Sequence, residues 1–486
     1  MKEESKQPPS PSSFLPPRAT HRLLKYAMLC IAVTYILYTL MLILLSIPKS
    51  ATIAISSRPK PTSLTHIVFG IASSAKLWGK RKSYVKLWWR PGLLRGVVWL
   101  DRPVAISKRE VSSMPSIRIS GNTSRFRYTN KRGRRSAIRI SRIVAETFRL
   151  GLSDVRWFVM GDDDTVFLPE NLLAVLSRLD HREFYYIGSQ SESHLQNIFF
   201  SHGMAYGGGG FAISYPLAAA LSKMQDRCIQ RYPELYGSDD RIQACMAELG
   251  VQVTHHSGFH QYDIHGNLFG LLAAHPVAPL VSLHHLDVVT PVFPNETRAA
   301  GLRRLFDGPV RLDSSATMQQ SICYDREKMW TISVSWGFAV QIVSGILSPR
   351  EMEKPLRTFL NWHRKADYTG YAFNTRPVAR TPCLRPFVFY LQLARIDAKK
   401  TNRTVTHYGP RRLLDGGGSN GDCNWTDKAP TMIEKVVVSK PIQSSMWKGG
   451  LNRTPRRSCC RVQKSQRKTT MRIDVGICGE DEIIGI

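Results

Sequence analysis

The sequence lacks several motifs that would assign a chemistry at once. The chain has nine cysteines but no C-x-x-C pair facing a matching pair, so a structural zinc site is not expected. No G-x-G-x-x-G follows the first predicted strand, which leaves the fingerprint of dinucleotide binding absent. There is no P-loop, no H-E-x-x-H and no internal repeat, so nothing points to P-loop nucleotide hydrolysis or zinc proteolysis.

Acidic residues are scarce, with 37 Asp and Glu against 67 Lys and Arg, for a formal net charge of +30. Basic clusters such as Lys131–Arg135 and Arg456-Arg457 are short and carry no interleaved aromatics. The excess is spread along the chain and is interpreted as solvated surface, facing an acidic polymer or a membrane. No nucleic-acid partner is predicted.

Long apolar runs are also rare, and the one that stands out is Tyr26–Ile47, which contains no charge. At about 1.5 Å per residue it is long enough to cross a hydrocarbon core of about 30 Å. A signal peptide is the alternative, but the run is too long and no small-residue cleavage site clearly follows. We expect a disordered cytosolic tail (1–25), a single-pass type II anchor (26–47), a stem (48–63) and a body in the secretory lumen.

The cysteines and glycosylation sequons fit that location. Cys30 lies in the apolar run, and the other eight cysteines are an even number, as disulfides require. The Asn-x-Ser/Thr sequons, each a possible N-glycosylation site, are at Asn122, Asn295, Asn402, Asn424 and Asn452.

Predicted strands and helices alternate between residues 64 and 300. This order is typical of an α/β fold with a mostly parallel sheet and helices on both faces. From residue 301 to 486 the pattern changes to short strands, glycine- and proline-rich loops and further cysteines, which predicts a second, β-leaning domain with disulfides. The main predicted strands are His66–Ala72, Val97–Leu100, Trp157–Met160, Phe184–Ile187, Trp330–Trp336 and Phe387–Leu391.

The strand that begins at Trp157 is apolar on both faces, which predicts the middle of a buried sheet. It ends in three consecutive carboxylates, Asp162, Asp163 and Asp164. Open α/β sheets bind ligands at this end of their strands, and oxygen ligands suit Mg²⁺ or Mn²⁺. The alternative is an acidic turn that caps the next helix.

Two further features follow downstream. Gly207–Gly210 precedes an apolar strand, and four glycines let the backbone approach a ligand closely, or form a flexible loop. Ser238-Asp239-Asp240 then opens a helical pattern. These acids either cap the helix or supply a general base. A disulfide between Cys228 and Cys245, on the two helices that this loop joins, would fix its position.

The last feature is His284-His285-Leu286-Asp287, where a neutral imidazole would complete an Asp-rich metal site and favour Mn²⁺. A structural histidine is the alternative.

The ordered set Asp162-Asp163-Asp164, Gly207–Ser214, Ser238-Asp239-Asp240 and His285-Leu286-Asp287 resembles Fringe and the related β1,3-glycosyltransferases of family 31. The chain looks most like the plant Fringe-related family that is catalogued as a domain of unknown function (DUF604). The Fringe resemblance covers roughly residues 64–300. The chain departs from it in having Ser238 in place of Pro and Asp287 in place of Glu.

The resemblance implies a GT-A fold over 64–300, Mn²⁺ (or Mg²⁺) as cofactor, a UDP-sugar donor and inversion at the anomeric carbon. By the same resemblance, Asp164 and His285 bind the metal, and Asp162 or Asp163 contacts the donor ribose or metal-bound water. The Gly208–Gly210 loop shapes the cleft that binds donor and acceptor. Asp239 and Asp240 are the catalytic acids, with Asp240 as the base. Residues 301–486 have no counterpart in Fringe.

Together these features predict a Golgi type II membrane glycosyltransferase that transfers a sugar to a glycan or glycoprotein, with a β1,3-type linkage. Two alternatives stay open. One is a non-catalytic carbohydrate- or protein-binding member of the same fold. The other is a metal-dependent phosphohydrolase built on Asp162–Asp164, which would not need the glycine loop or the second acid pair.

Overall fold

A computed structural model describes residues 17–46, 61–411, 430–443, 446–447, 456–479 and 482. Residues 1–61 and 62–486 form separate compact units. In the first unit, helix α1 (Pro17–Ser46) begins inside the predicted tail and contains an apolar stretch, Leu24–Ile43, that is long enough to span a membrane. Most of the predicted tail and stem, residues 1–16 and 47–60, lies outside the described residues.

The second unit is built on two large sheets. The first has seven strands: β1 (Ile67–Ala72), β2 (Arg95–Leu100), β3 (Ser116–Ile119), β4 (Trp157–Asp162), β6 (Tyr186–Gly188), β7 (Phe211–Ser214) and β8 (Val253–His255). Their order is β3-β2-β1-β4-β7-β6-β8, and only β7 is antiparallel to its neighbours. The predicted α/β class with a parallel-rich sheet is therefore confirmed. Strand β4 is central and buried on both faces, as its apolar run predicts.

Helices connect these strands, and several start at recognisable caps. Helix α2 begins after Ser74, whose hydroxyl accepts a hydrogen bond from the Leu77 amide, and α5 has Pro169 at its first turn. The helices are α2 (Ala75–Trp88), α3 (Lys108–Ser113), α4 (Ser136–Phe148), α5 (Pro169–Leu176), α6 (His194–Phe199), α7 (Tyr215–Arg231), α8 (Asp239–Glu248), α9 (Phe269–Ala273), α10 (Arg298–Leu305), α11 (Arg311–Asp313) and α12 (Pro349–Met352).

Two small antiparallel pairs join distant parts of the chain. Strand β5 (Val166–Phe167) pairs with β10 (Ser282–Leu283), and β9 (Ile264–Gly266) pairs with β14 (Phe359–Asn361). The first pair lies next to the candidate site. The second pair attaches a segment beyond residue 300 to one before it.

The second large sheet supplies the predicted β-rich C-terminal part. Its strands are β11 (Gln320–Asp325), β12 (Trp330–Ser335), β13 (Ala339–Ser344), β15 (Phe387–Ile396), β16 (Arg403–Arg411), β17 (Lys435–Pro441), β18 (Cys459–Gln463) and β19 (Thr470–Gly476). Their order is β11-β12-β13-β15-β16-β17-β19-β18, and every pair is antiparallel except β17 with β19. Disulfides join Cys323 to Cys460 and Cys459 to Cys478.

The two sheets share apolar packing. A single cluster of buried side chains includes Phe69 from β1, Phe269 from α9 and Val436 from β17. Residues on both sides of position 300 contribute to this cluster. The domain boundary that the sequence predicts at this position stays a prediction.

A buried ion pair connects α11 to the second sheet. Lys440 Nζ lies 2.8 Å from Asp313 Oδ2, and the two side chains are 3% and 0% exposed. Asp313 Oδ2 also accepts a hydrogen bond from the Gln443 amide at 2.9 Å. We expect Asp313→Ala to lower the free energy of unfolding by about 3–5 kcal/mol, because it leaves the Lys440 ammonium buried without its carboxylate.

Urea denaturation followed by circular dichroism would measure this change. The matched control is Asp180→Ala, which breaks the exposed pair between Asp180 and Arg182 and should not shift the transition measurably. Equal behaviour of the two variants would contradict the expectation.

Candidate functional site

The carboxylate triplet lies at the end of the central strand β4, between β1 and β7. Asp162 is the last residue of this strand, and the chain then turns sharply. The turn is held by the Thr165 amide, which donates to the Asp162 carbonyl at 3.1 Å, and by the Thr165 hydroxyl, which accepts from the Asp162 amide at 2.8 Å. The turn buries Asp163 and Asp164 and leaves Asp162 half-buried.

Strand β5 follows this turn and brings a histidine to the triplet. It pairs with β10 in the register Val166–Leu283, and the residue after Leu283 is His284. His284 Nε2 consequently lies 3.4 Å from Asp164 Oδ1 and 3.9 Å from Asp162 Oδ2. A two-residue strand pair therefore joins two motifs that are 120 positions apart in the sequence.

Asp162, Asp164 and His284 form a group that fits a divalent cation. One ligand atom from each lies within 4.8 Å of the others. Two carboxylate oxygens and one imidazole nitrogen suit Mn²⁺ or Mg²⁺. Both oxygens of Asp164 are buried, and neither accepts a hydrogen bond of ordinary geometry. Carboxylate oxygens that are buried without a hydrogen-bond donor are suited to bind a cation.

Burial and the neighbouring charges shift the pKa values of the side chains in this group. Burial raises the pKa of Asp162 to about 7, with Asp164 and Asp239 adding to the rise and His284 opposing it. The side chain of Asp162 is 36% exposed, so solvent moderates this shift. Burial lowers the pKa of His284, but Asp164 and Asp162 outweigh it and raise the value to about 9. Binding of a metal to His284 would therefore release a proton.

An arginine that sequence reasoning did not single out completes the acid cluster. Arg81, on α2, places Nη1 3.2 Å from Asp163 Oδ1 and Nη2 3.1 Å from Asp164 Oδ2. The same Nη2 lies 2.6 Å from Asp287 Oδ2. Burial raises the pKa of Asp164, but His284 and Arg81 outweigh it and hold that pKa well below its usual range.

The glycine loop packs between the metal-binding group and the second acid pair. A Cβ atom on Gly207 would lie 2.6 Å from Asp239 Oδ1, and one on Gly208 would lie 2.1 Å from His284 Cε1. The loop is fixed rather than open. The Thr165 hydroxyl donates to the Gly208 carbonyl at 2.7 Å, and the Gly209 amide donates to Gln261 Oε1 at 2.7 Å.

We expect Gly208→Ala to weaken Mn²⁺ binding by about tenfold or more, because the added methyl group displaces the His284 ring from its position. Isothermal titration of Mn²⁺ into the purified chain would measure the affinity. Gly203→Ala is the matched control, since a Cβ there would meet only Ser201 Oγ, at 3.5 Å. Equal Mn²⁺ affinity in both variants would contradict the expectation.

The two acids at the start of α8 have different surroundings. Asp240 turns back to the preceding loop, where its carboxylate accepts from the Tyr236 amide at 2.8 Å and the Gly237 amide at 3.0 Å. Asp239 lies beside the glycine loop, and its Oδ1 accepts from the Ser238 hydroxyl at 2.9 Å. Burial raises the pKa of Asp239 to about 6, and Asp240 adds to the rise. Asp239 is therefore the acid of this pair that lies against the glycine loop, on whose next residue His284 packs. The role of Asp240 as the base stays a prediction.

The position of α8 is fixed from two sides. A disulfide joins Cys228 on α7 to Cys245 on α8, with the Cα atoms 5.8 Å apart. The Arg241 guanidinium, almost fully buried, donates to the Gly237 carbonyl and, at 2.6 Å, to the Leu235 carbonyl. These contacts hold Asp239 at a defined place near the glycine loop.

The predicted metal ligand His285 is not part of the group formed by Asp162, Asp164 and His284. The His285 ring turns away from the triplet, with Nδ1 3.2 Å from Asp263 Oδ1, and it stacks on Trp362 at a centroid distance of 5.0 Å. The rings of His284 and His285 lie against each other with their centroids 3.9 Å apart, and His285 adopts a left-handed backbone (φ 54°) at which the chain turns. His284 is the histidine of this pair that lies in the metal-compatible group.

Of the predicted sequons, Asn122, Asn295 and Asn402 are exposed. Asn424 and Asn452 lie outside the described residues.

Two family models match the chain. One, described as "Protein of unknown function, DUF604", covers residues 196–460 and includes the glycine loop, the second acid pair and His284. The other, described as "Fringe-like", covers residues 113–269 and includes the carboxylate triplet, the glycine loop and the second acid pair. Among curated proteins, none matches.

A solved structure with a limited likeness is the mannosyltransferase PcManGT from Pyrobaculum calidifontis, in complex with GDP-Man and Mn²⁺. It is 13% identical with a TM-score of 0.26, and the match covers 41% of this chain and 57% of that one. This likeness is too small to carry an inference about the site. The first family model alone spans more than half of the sequence, and the chain therefore belongs to the DUF604 family and is related to Fringe.

Proposed function

We propose that this chain is a glycosyltransferase that uses a divalent cation, Mn²⁺ or Mg²⁺, and a UDP-sugar donor. The observation that carries the proposal is a two-part site. The metal-compatible group Asp162, Asp164 and His284 and the half-buried carboxylate of Asp239 lie against one glycine loop. Transfer of a sugar from a donor to an acceptor requires a cation-binding group and a general base close to each other. The Fringe-like match supports the same function.

On the donor side, Asp162, Asp164 and His284 would hold the cation. When bound, the cation supplies charge neutralisation to the diphosphate leaving group. Asp163 is held by the Ser73 hydroxyl at 2.5 Å and by Arg81, so it positions the cluster rather than contacting the ion. The glycine loop lies between His284 and Asp239, and both side chains approach its backbone closely because no side chain projects from it.

On the acceptor side, Asp239 acts as the general base. The acceptor oxygen bonds to the anomeric carbon while the bond from that carbon to the diphosphate oxygen breaks. The electron pair leaves with the nucleoside diphosphate, and the hydroxyl proton moves to Asp239. Attack on the face opposite the leaving group inverts the anomeric centre and needs no covalent intermediate. A pKa of about 6 suits a base at neutral pH.

The proposed location is the Golgi membrane, with single-pass type II topology and the site in the lumen. Helix α1 supports an anchor, and the disulfides support an oxidising compartment. The exposed sequons agree with this. We propose a glycan or glycoprotein acceptor and a β1,3-type linkage by analogy with Fringe.

The test is a donor screen with the full chain purified in detergent. UDP-sugars are supplied with Mn²⁺, and UDP release is measured with and without candidate glycan acceptors. Release with one donor supports the proposal and names the sugar. No binding of UDP or Mn²⁺ would refute it. Binding without turnover would indicate a non-catalytic binding protein, and release of phosphate from simple esters would indicate a phosphohydrolase.

A further inference from the structure

The guanidinium of Arg81 lies within the cluster of carboxylates at the candidate site. It contacts Asp163, Asp164 and Asp287 at 3.2, 3.1 and 2.6 Å, and its side chain is 22% exposed. Arg81 is therefore a partly accessible cation that lies among three carboxylates of the chain.

A divalent cation in the group formed by Asp162, Asp164 and His284 would share a ligand with this arginine. Arg81 Nη2 contacts one oxygen of Asp164, and the metal-binding group uses the same carboxylate. Two positive charges on one carboxylate repel each other strongly when water is excluded. The metal and the guanidinium therefore compete for the carboxylate of Asp164, unless an anion lies between the two positive charges.

The diphosphate of a nucleotide is an anion of the required kind. A guanidinium binds phosphate oxygens through two parallel N–H groups, and its planar fork matches phosphate as well as carboxylate. Asp163 would keep the Ser73 hydroxyl as a partner if the guanidinium moved away. Asp163 and Asp164 would therefore each keep a partner, Ser73 and His284, while Asp287 would lose its contact with Arg81.

From this geometry we infer that Arg81 exchanges partners when the donor binds. In the donor-free chain it neutralises Asp163, Asp164 and Asp287. In the complex it donates hydrogen bonds to the diphosphate of the nucleotide. Metal and diphosphate then bind cooperatively. The diphosphate draws Arg81 away from Asp164 and so removes its repulsion of the metal, and the metal in turn frees Arg81 to bind the diphosphate. This inference rests on the proposed function, since it assumes a nucleotide-sugar site.

The inference predicts opposite effects of one substitution on two affinities. Arg81→Ala should bind Mn²⁺ alone more tightly than the wild type, because the competing cation is gone. With Mn²⁺ saturating, the same variant should bind UDP about tenfold to a hundredfold more weakly, the loss expected for hydrogen bonds to a charged group. Titration calorimetry on the full chain in detergent measures both values.

Lys82→Ala is the matched control. Lys82 is the next residue on the same helix, and its partner is Glu110, which lies outside the cluster. Both affinities should stay at the wild-type values in this variant. Arg81→Lys keeps the charge but loses the fork, so it should leave Mn²⁺ affinity unchanged and weaken UDP. It serves as the test if Arg81→Ala does not fold.

The outcomes separate this inference from the proposed function. If the wild type binds neither Mn²⁺ nor UDP, both are refuted. If the wild type binds both, the inference is overturned when Arg81→Ala changes neither affinity or weakens both together. It is also overturned when Arg81→Lys binds UDP as the wild type does. Donor turnover in that last case would leave the proposed function standing.

Discussion

Replacing Asp239 by asparagine should stop sugar transfer while leaving UDP and Mn²⁺ binding within about twofold of the wild type. The reason is that Asp239 is the carboxylate that faces the metal-binding group, and asparagine cannot take the acceptor proton. Loss of a general base lowers kcat by about a hundredfold to ten-thousandfold. The measurement is the initial rate of UDP release with a saturating donor and acceptor, together with calorimetric binding of UDP.

Asp240→Asn is the control for that result. Its carboxylate accepts hydrogen bonds from the Tyr236 and Gly237 amides, so the substitution changes a capping group and not the base. We expect a small loss of stability and nearly full kcat. If Asp240→Asn is inactive and Asp239→Asn is active, then the choice of base from the sequence was right and the role assigned here to Asp239 is wrong.

The second large effect is expected at Asp164. Asp164→Asn should weaken Mn²⁺ binding by at least about a hundredfold, because it removes a charged ligand from the site. The fold should survive, since the change relieves repulsion among the acids, and Arg81 keeps Asp163 and Asp287 as partners. Electron paramagnetic resonance of free Mn²⁺ in a titration with the full chain would measure the affinity.

The two adjacent histidines provide a matched pair for the same measurement. His284→Ala should lower Mn²⁺ affinity, because His284 Nε2 lies 3.4 Å from Asp164 Oδ1. His285→Ala should lower it less, because His285 contacts Asp263 and Trp362 and supports the His284 ring only by packing, at a centroid distance of 3.9 Å. The reverse order of effects would show that the metal binds on the other side of this segment.

Much of the first sheet could be predicted because burial on both faces leaves a strong pattern. Strand β4 is apolar along its length and lies at the centre of the sheet, so the position of the triplet at its end follows. The glycine run also predicted a close approach of the backbone. In the structure, Gly207 and Gly208 are where a side chain would strike Asp239 and His284.

The choice between neighbouring residues could not be predicted in the same way. His284 and His285 are chemically identical, and which one faces the triplet depends on the register of β5 with β10. Asp239 and Asp240 differ only in how the turn before α8 is oriented. Arg81 lies among other basic residues on α2, where nothing in the sequence distinguishes it from a solvated side chain.

The apolar cluster shared by the two sheets has a consequence for recombinant production. A chain ended at residue 300, where the resemblance to Fringe stops, would lose Phe338 and Tyr390, whose rings pack against Phe269 at centroid distances of 6.0 and 5.8 Å. It would also lose β14, which pairs with β9. The exposed surface would favour aggregation. Soluble secreted material should therefore be sought by removing the N-terminal unit and retaining the chain from residue 62 onwards.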